Sequence, residues 1–597
     1  MTRRAVLLLT AACTTLALAT LPAQTAPPKA RVHEGLREIP TYPFSEPNPI
    51  PILAKDTRLY PYFSFEGYAH DPVPQRWNVV TLENDLIEVK ILPAVGGKIW
   101  GARVKKTGHD FIYTNDALKF RNVALRGPWT SGGIEFNFGV VGHTPSTATP
   151  VDYITRENPD GSVSCIVGTM DLPSHTEWRV EIRLPADSAA FETHVLWHNP
   201  TTIEQPYYNW MTAAAFAKDD LTMSIPGNAY LDHPGPRHDW PFDAAGHFLP
   251  SYADNKFGAN KSFHVVGELQ DVFGGYYNQA NFGFGHWARH DEMPGQKLWL
   301  WALSRAGGIW EDLLTDTQGQ YVEYQAGRLL VQYTPGADET PIRQAAFDPM
   351  ATDRWSETWF PLEGIGGLTA ASSKGAIAVR DDNGALRIGV NSFMRANDTV
   401  RVLVNERVVS EQPVTLTPLV PAVVTAAHPA GTPYRVELPA LGIRYDSDPA
   451  ARALSRPFES DPAAVATIPA ADRDVFQAKE LIEARRYEQA RPLLARVLAS
   501  SPWHHDGLLA MADLEYRRAR YAEGLAVITK ALRLDTYDAA ANMIAANLYR
   551  ALGKTTDARD AYGWAARAMT YRAAATTALA ELALARRDWA EAARYAR

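Results

Sequence analysis

Cysteine is almost absent from this chain, with only Cys13 and Cys165 among 597 residues. Cys13 lies in an N-terminal segment that we expect to be removed, so Cys165 would have no thiol to pair with. Folds held together by disulfides are therefore excluded, and the chain must rely on its hydrophobic cores. We expect Cys165 to be a buried, unreactive thiol.

An excess of positive charge and long apolar runs are also missing. Lys and Arg number 59 against 67 Asp and Glu, a formal net charge of −8, so no nucleic-acid surface is expected. After the N-terminal segment no uncharged apolar stretch approaches the roughly 20 residues that cross a bilayer. The sequence therefore predicts no membrane span and no nucleic-acid partner.

The N-terminal segment has the pattern of an export signal. Arg3 and Arg4 precede an apolar run from Ala5 to Ala19, and cleavage could follow Ala19, Ala23 or Ala26. This order of charge, apolar run and small residues predicts a secretory signal peptide over residues 1–26. We expect a periplasmic or extracellular protein.

A repeat of 34 residues occupies the C-terminal part. Three of its phases stand out, namely Ala478, Ala512, Ala546 and Ala580; Tyr487, Tyr521, Thr555 and Trp589; and Ala490, Gly524, Ala558 and Ala592. This spacing is that of the tetratricopeptide repeat, a helical hairpin whose small residues let its two helices pack closely. The pattern predicts an all-α solenoid over residues 473–597.

The preceding part has the period-two pattern of β-strands, as in Leu86–Ile91 and Trp178–Leu184. Thirteen of the sixteen tryptophans lie between Trp77 and Trp359, and none lies between Phe360 and Pro502. We therefore predict a large β-domain over residues 27–370, a small β-sandwich over 371–446 and a linker over 447–472.

One glycine-rich stretch combines an indole, a carboxylate and an imidazole. It contains Arg126, Trp129, Glu135, Asn137 and His143. Glycines let a ligand approach the backbone, an indole stacks on a sugar ring, and Glu and His exchange protons. The alternative is a glycine-rich turn with a buried Trp and a surface Glu.

A second cluster contains His286, His290, Lys297, Trp299 and Trp301. The last three alternate along one strand, so they share a face that forms either the floor of a groove or cross-strand packing. Glycines and a proline around the histidines argue against a helical metal pair. We predict no metal and no cofactor.

A third cluster places carboxylates among aromatic and amide groups. Glu323 and Gln325 share a strand face, and Glu357 lies between Trp355 and Trp359. Desolvation by aromatic neighbours raises the pKa of a carboxyl and suits it to general acid catalysis. Taken singly, each Glu is more often a solvated or ion-paired residue.

These motifs carry a resemblance to a known group of proteins. Asn84–Pro93, Gly96–Trp100 and Phe111–Tyr113 resemble the opening of galactose-mutarotase-like sugar domains. Gly132–Asn137, Gly142–Pro145, Tyr324–Gly327 and Trp355–Trp359 resemble an uncharacterised bacterial domain family that is usually followed by tetratricopeptide repeats. The resemblance covers about residues 50 to 370.

The resemblance implies a β-supersandwich with a concave carbohydrate-binding face, a fold found in epimerases, glycoside hydrolases and polysaccharide lyases. Aldose epimerases pair a histidine acid with a glutamate base. Their histidine motif has no assigned match here, and the positions that stay open are His143, His175, His194, His198 and His286.

The leading hypothesis is a glycoside hydrolase that acts on an oligo- or polysaccharide through Glu135 and Glu323, with Glu357 as a third member. The residues predicted to bind substrate are Arg126, Trp129, Asn137, His143, His286, Trp299, Trp301 and Gln325.

Two alternatives remain. In an epimerase or a lyase, a His or Tyr would act on a ring proton, and a uronate would be neutralised by Arg126, Arg289, Lys297 and Arg328. In a non-catalytic carbohydrate-binding protein, the repeats would dock a peptide or protein partner. Equally, the repeats could support the β-domain of the same chain.

Overall fold

The computed structural model describes residues 29–51, 63–65, 67–121, 128–140, 142–143, 145–233, 236–258, 260–269, 271–332, 346–454 and 466–597. The predicted signal peptide and Arg126 lie outside these ranges.

The strands in chain order are β1 Arg31–Tyr42, β2 Pro47–Pro51, β3 Phe63–Phe65, β4 Val73–Glu83, β5 Ile87–Leu92, β6 Lys98–Val104, β7 Asp110–Ile112, β8 Leu118–Lys119, β9 Ile134–Gly139, β10 Asp152–Glu157, β11 Val163–Met170, β12 Glu177–Leu184, β13 Phe191–His198, β14 Gln205–Pro206, β15 Tyr208–Phe216, β16 Leu221–Ser224, β17 Ala229–Leu231, β18 Arg237–Asp239, β19 Lys261–Val266, β20 Val272–Tyr277, β21 Phe282–Trp287, β22 Gly295–Leu300, β23 Tyr321–Gly327, β24 Ala346–Phe347, β25 Thr352–Glu363, β26 Ala370–Ser372, β27 Gly375–Asp381, β28 Ala385–Ser392, β29 Ala396–Val404, β30 Arg407–Leu416, β31 Ala422–Ala427, β32 Arg435–Leu438 and β33 Ile443–Asp446. The helices are α1 Arg305–Leu314, α2 Pro449–Arg452, α3 Ala470–Glu483, α4 Tyr487–Ser500, α5 His505–Arg517, α6 Tyr521–Leu534, α7 Ala539–Ala551, α8 Thr555–Ala565, α9 Met569–Ala585 and α10 Trp589–Tyr595.

Two large sheets face each other in the N-terminal part. Within the described ranges, the larger runs β18-β17-β19-β22-β23-β15-β9-β6-β5-β4-β1-β8 with β7 beside β6, and the other runs β10-β11-β12-β13-β25-β21-β20-β16. Apolar side chains on the facing sides of the two sheets, such as Phe136, Tyr324, Trp178 and Trp359, share one core. The outer face of the larger sheet carries polar groups together with a smaller aromatic cluster that includes Trp129, Trp301 and Tyr321.

A small sandwich follows the two large sheets. Its sheets run β26-β27-β28-β31 and β30-β29-β32-β33, and they enclose a separate core that includes Ile388, Val402 and Val436. Phe360 of β25 packs on Phe393 at a ring distance of 4.5 Å, which joins the sandwich to the second large sheet.

The C-terminal helices form four consecutive hairpins, α3/α4 to α9/α10. The aromatic or threonine phase of the repeat begins the second helix of each hairpin, at Tyr487, Tyr521, Thr555 and Trp589. The turn of each hairpin contains one left-handed residue, again 34 residues apart: Arg485, Ala519, Gly553 and Arg587, with φ of 61°, 57°, 72° and 60°. The fold-class prediction, a mainly β N-terminal part followed by a helical repeat solenoid, is confirmed.

Two helical glycines allow a matched test of the small-residue phase. A Cβ on Gly524 would lie 2.9 Å from the Leu548 side chain and 3.2 Å from the Ala512 carbonyl oxygen, whereas a Cβ on Gly563 would meet nothing within 4 Å. We expect Gly524→Leu to lower the free energy of unfolding by about 1–3 kcal/mol through overpacking. Gly563→Leu gains the same helix propensity without the clash, so urea unfolding should find it as stable as the wild type or more so. Equal stability of the two variants would contradict the packing.

The helical array is docked on the β-domain of the same chain. In its groove, Arg517 Nη2 donates to the Glu204 carbonyl oxygen at 2.7 Å, and Asn547 Nδ2 donates to the Thr202 carbonyl oxygen at 3.0 Å. Met350, just before β25, packs against the core of the last two hairpins. The first helices of the hairpins therefore hold a loop of the β-domain. None of the helices formed by the described residues has the length and apolarity of a membrane span.

Candidate functional site

The outer face of the larger sheet gathers polar and charged side chains from four neighbouring strands. In the ladder, Thr212 of β15 pairs with Glu135 of β9 on one side and with Gln325 of β23 on the other. Lys297 of β22 pairs in turn with Gln325. Because side chains alternate along a strand, Glu323 lies on the same face as Gln325, one pleat further on. Glu135, Glu323, Gln325 and Lys297 thus share one surface, and all four are buried.

Glu135 is held at both carboxylate oxygens. Trp129 Nε1 donates to Oε2 at 2.6 Å, and His143 Nδ1 lies 2.9 Å from Oε1. Burial acts to raise the pKa of Glu135, but the charge and hydrogen bond of His143, the Lys98 ammonium and the Trp129 hydrogen bond together hold it below its ordinary value. Glu135 is therefore an ionised carboxylate in a buried site.

Two glycines explain how the chain reaches this position. Gly132 and Gly133 have φ of 78° and 68°, and a Cβ on Gly133 would lie 2.1 Å from the Ile99 carbonyl oxygen. Only glycine fits a left-handed turn that passes so close to β6. The turn ends at Ile134, where β9 begins, and places Glu135 beside Trp129.

His143 is carried by a loop that folds back over β9. Its backbone has φ of 54°, and its N–H donates to Asn137 Oδ1 at 2.5 Å. Asn137 Nδ2 in turn donates to Thr212 Oγ1 at 3.1 Å. The His143 side chain is 25% exposed and is the accessible member of the pair with Glu135. Asn137 therefore positions the imidazole from beneath.

Glu323 is the second carboxyl of the face. Gln325 Nε2 donates to its Oε2 at 2.7 Å, and the Tyr321 hydroxyl lies 3.4 Å from its Oε1. Burial is the largest influence and raises the pKa of Glu323; His143 and Lys297 oppose that rise and the charge of Glu135 adds to it. Glu323 therefore holds its proton to higher pH than an exposed Glu.

Hydrogen bonds connect Glu323 to a buried lysine. Lys297 Nζ donates to Gln332 Oε1, Gln332 Nε2 donates to Gln325 Oε1 at 2.5 Å, and Gln325 donates to Glu323. Burial lowers the pKa of Lys297 to about 7, against the opposing charge of Glu323. The Lys297 amine therefore loses its proton at lower pH than an exposed lysine does, and this loss changes the charge next to Glu323.

Lys98 is a site residue that the sequence did not single out. Its Nζ donates to the Thr130 carbonyl oxygen at 2.8 Å and to Thr130 Oγ1 at 3.1 Å. Burial lowers its pKa to about 8, although Glu135 and Glu323 favour its charged form. The feature of the sequence that could have identified Lys98 is its position at the start of β6, a strand with a face that neighbouring strands bury.

Glu357 and His286 belong elsewhere, which corrects the expected convergence of three glutamates. Glu357 of β25 lies on the inner face of the second sheet, where His286 Nε2 is 2.9 Å from Oε2 and Trp355 Nε1 donates to Oε1 at 2.9 Å. Both side chains are buried in the core, next to Trp359. The larger sheet separates this pair from Glu135 and Glu323.

The predicted stacking tryptophans differ in access. Trp129 and Trp301 are each 3% exposed, and Trp301 stacks on Trp310 at 5.0 Å. Trp129 therefore serves Glu135 as a hydrogen-bond donor and offers no open ring face. Trp299 is only partly buried and lies on the same strand face as Lys297. No cluster of three or more His, Cys, Asp or Glu that could hold a metal occurs in the described part of the chain.

Comparison with known proteins gives the family. Residues 54–362 match the family described as a domain of unknown function, DUF5107. The chain belongs to this family. The match spans the strands that carry Glu135, Lys297 and Glu323.

Solved structures are similar to the chain at low identity. A TPR-domain containing protein from Parabacteroides distasonis aligns with 95% of this chain and 91% of its own, at 17% identity and a TM-score of 0.50, which supports the order of β-domain and repeats. A putative aldose 1-epimerase from Klebsiella pneumoniae aligns over 48% of this chain and 80% of its own, at 11% identity and a TM-score of 0.35. A galactose mutarotase-like protein from Lactobacillus casei aligns with 47% of this chain and 99% of its own, at 11% identity and a TM-score of 0.34.

The prediction of an uncharacterised domain family followed by helical repeats is confirmed.

Proposed function

We propose that the DUF5107 domain of this chain is an exported carbohydrate-active enzyme that hydrolyses glycosidic bonds. The observation that carries the proposal is a pair of buried carboxyls on one sheet face whose pKa values are shifted in opposite directions, Glu135 down and Glu323 up. Two carboxyl groups in opposite protonation states are what glycoside hydrolysis needs.

The opposite pKa shifts of the two carboxyls support one division of roles. Glu323 carries the proton and would give it to the oxygen of the leaving sugar as the bond to the anomeric carbon breaks. Ionised Glu135 would take a proton from water as the hydroxide adds to that carbon, or would attack the carbon directly. The partly exposed ring of Trp299 is a surface on which a sugar can stack.

The proposed roles predict a bell-shaped dependence of turnover on pH. Glu135 must be ionised, so kcat/KM falls as pH drops through its lowered pKa, below the ordinary 4.5. Glu323 must be protonated, so kcat/KM falls again as pH rises through its raised pKa, above 4.5. The profile would be measured on the best substrate from a screen of glycans and aryl glycosides. A rate that only rises with pH above 4.5 would contradict the assignment.

Epimerisation of a free sugar is the second candidate, because His143 and Glu135 form a contact of 2.9 Å between an imidazole and a carboxylate. Such a pair can move a proton to and from the hydroxyl or ring oxygen at the anomeric centre. NMR of the α and β forms of free sugars separates the candidates, since an epimerase speeds their exchange and releases no reducing end. A protein that only binds sugars would show neither reaction.

A further inference from the structure

A cavity of about 270 Å³ lies between the β-domain and the helical array. On one side it is lined by Thr202–Glu204 and on the other by side chains of α3, α5, α7 and α9. Its volume far exceeds the roughly 10–15 Å³ that a cavity needs to hold one water molecule. Phe476 lines it and remains 60% exposed, so the cavity opens to solvent.

The lining of the cavity has an excess of negative charge. Four carboxylates line it, Glu204, Glu480, Glu483 and Asp513, against one ammonium, Lys479. The neighbouring Arg517 balances one of the four, because its Nε pairs with Asp513 at 2.7 Å, and its Nη2 bonds to the Glu204 carbonyl oxygen. Three acidic side chains are then left against Lys479. A cation entering the cavity would therefore meet unbalanced acidic groups.

Glu483 is the group that most needs such a ligand. The residue is 7% exposed, and its Oε2 has no hydrogen-bond partner within the part of the chain that the structure describes. A buried carboxylate oxygen without a partner costs free energy, which a charged donor would recover. Burial also raises the pKa of Glu483, with Arg517 and Arg485 opposing the rise.

The remaining walls are apolar. Ile203, Ile482, Leu509, Met543 and Ile544 line the space next to the carboxylates. A ligand that fits both parts carries a positive charge at the end of a short hydrocarbon chain. We propose that this cavity binds a primary ammonium on an aliphatic chain, held by Glu483 and covered by the loop Thr202–Glu204. A free alkylamine and a lysine side chain share this chemistry.

Calorimetry on the full chain would test the site with n-pentylamine and with a blocked Gly-Lys-Gly peptide. Their uncharged counterparts are 1-pentanol and the same peptide with norleucine. We expect at least one charged probe to bind about tenfold or more tighter than its counterpart, as a charge-assisted hydrogen bond implies. Binding of the amine alone would point to a free ligand, and binding of the peptide alone to a lysine side chain. Failure of both charged probes to bind, or equal binding of the uncharged ones, would overturn the proposal.

Variants keep the test independent of folding. Glu483→Gln should weaken binding about tenfold or more, whereas Glu523→Gln, an exposed carboxylate on α6, should not. Leu509→Trp fills the cavity without removing any carboxylate and should abolish binding, while circular dichroism reports that the helices are retained. Unchanged affinity in Leu509→Trp would overturn the proposal even if Glu483→Gln failed to fold.

Discussion

Glu135→Gln lowers kcat by at least about a hundredfold on any glycoside that the wild-type chain hydrolyses, if Glu135 is the base or nucleophile. Glutamine keeps the size of the side chain and can still accept the Trp129 hydrogen bond that is 2.6 Å long in the wild type. It cannot take a proton from water or bind an anomeric carbon. The loss should therefore appear in kcat while the fold is retained.

Glu177→Gln is the matched control for this experiment. Glu177 lies on β12 in the other large sheet, and its side chain is 45% exposed. Initial rates of both variants, measured with the same substrate, give the comparison. A Glu135→Gln enzyme that turns over at the wild-type rate would remove Glu135 from the mechanism.

We expect Glu357→Ala to lower the stability of the fold strongly. The change removes the acceptor of both His286 and Trp355 in the core, and deleting one partner of a buried pair costs about 3–5 kcal/mol. Turnover per folded molecule should remain, because Glu357 lies on the far side of the larger sheet from Glu135. Urea unfolding and active-site titration measure the two effects separately.

Glu357→Gln serves as the conservative comparison. Its amide oxygen can accept from Trp355 and its amide nitrogen can donate to His286, so we expect a smaller loss of stability than for alanine. If Glu357→Ala proved as stable as the wild type, the buried pair would be unimportant. If it were folded but inactive, Glu357 would have the catalytic role that the sequence suggested.

Periodicity accounts for the parts of the fold that could be predicted. The 34-residue repeat predicts the four hairpins because the same type of residue fills the same packing position in every copy. Ala490 and Gly524, for example, are small residues at equivalent positions. The left-handed turns could not be predicted from residue type. Of the four left-handed residues, only Gly553 is a glycine, the residue that favours φ > 0.

Part of the two-carboxyl site could be predicted from the sequence. Glu135 and His143 are eight residues apart and meet through one loop, as a local motif can suggest. Glu323 joins them because β15 pairs with both β9 and β23, a long-range arrangement that strand periodicity does not specify. Lys98 was missed because a single lysine after two glycines is typical of an exposed turn.

Glu357 shows what alternation leaves undecided. The alternation of side chains along a strand predicts that Trp355, Glu357 and Trp359 share a face. It does not predict whether that face is turned to a ligand or to a core. Here it faces the core, where Trp355 and Trp359 are 3% and 0% exposed. Aromatic neighbours around a carboxyl are therefore equally compatible with a structural hydrogen-bond pair.

A crystal structure of the chain with a bound monosaccharide or sugar lactone would test the account most directly. We predict that the sugar lies over β9, β15 and β23 with a ring atom or hydroxyl within hydrogen-bonding distance of Glu135 or Glu323. A sugar bound on the other large sheet or on the small sandwich, with these two carboxyls uncontacted, would contradict the proposed site.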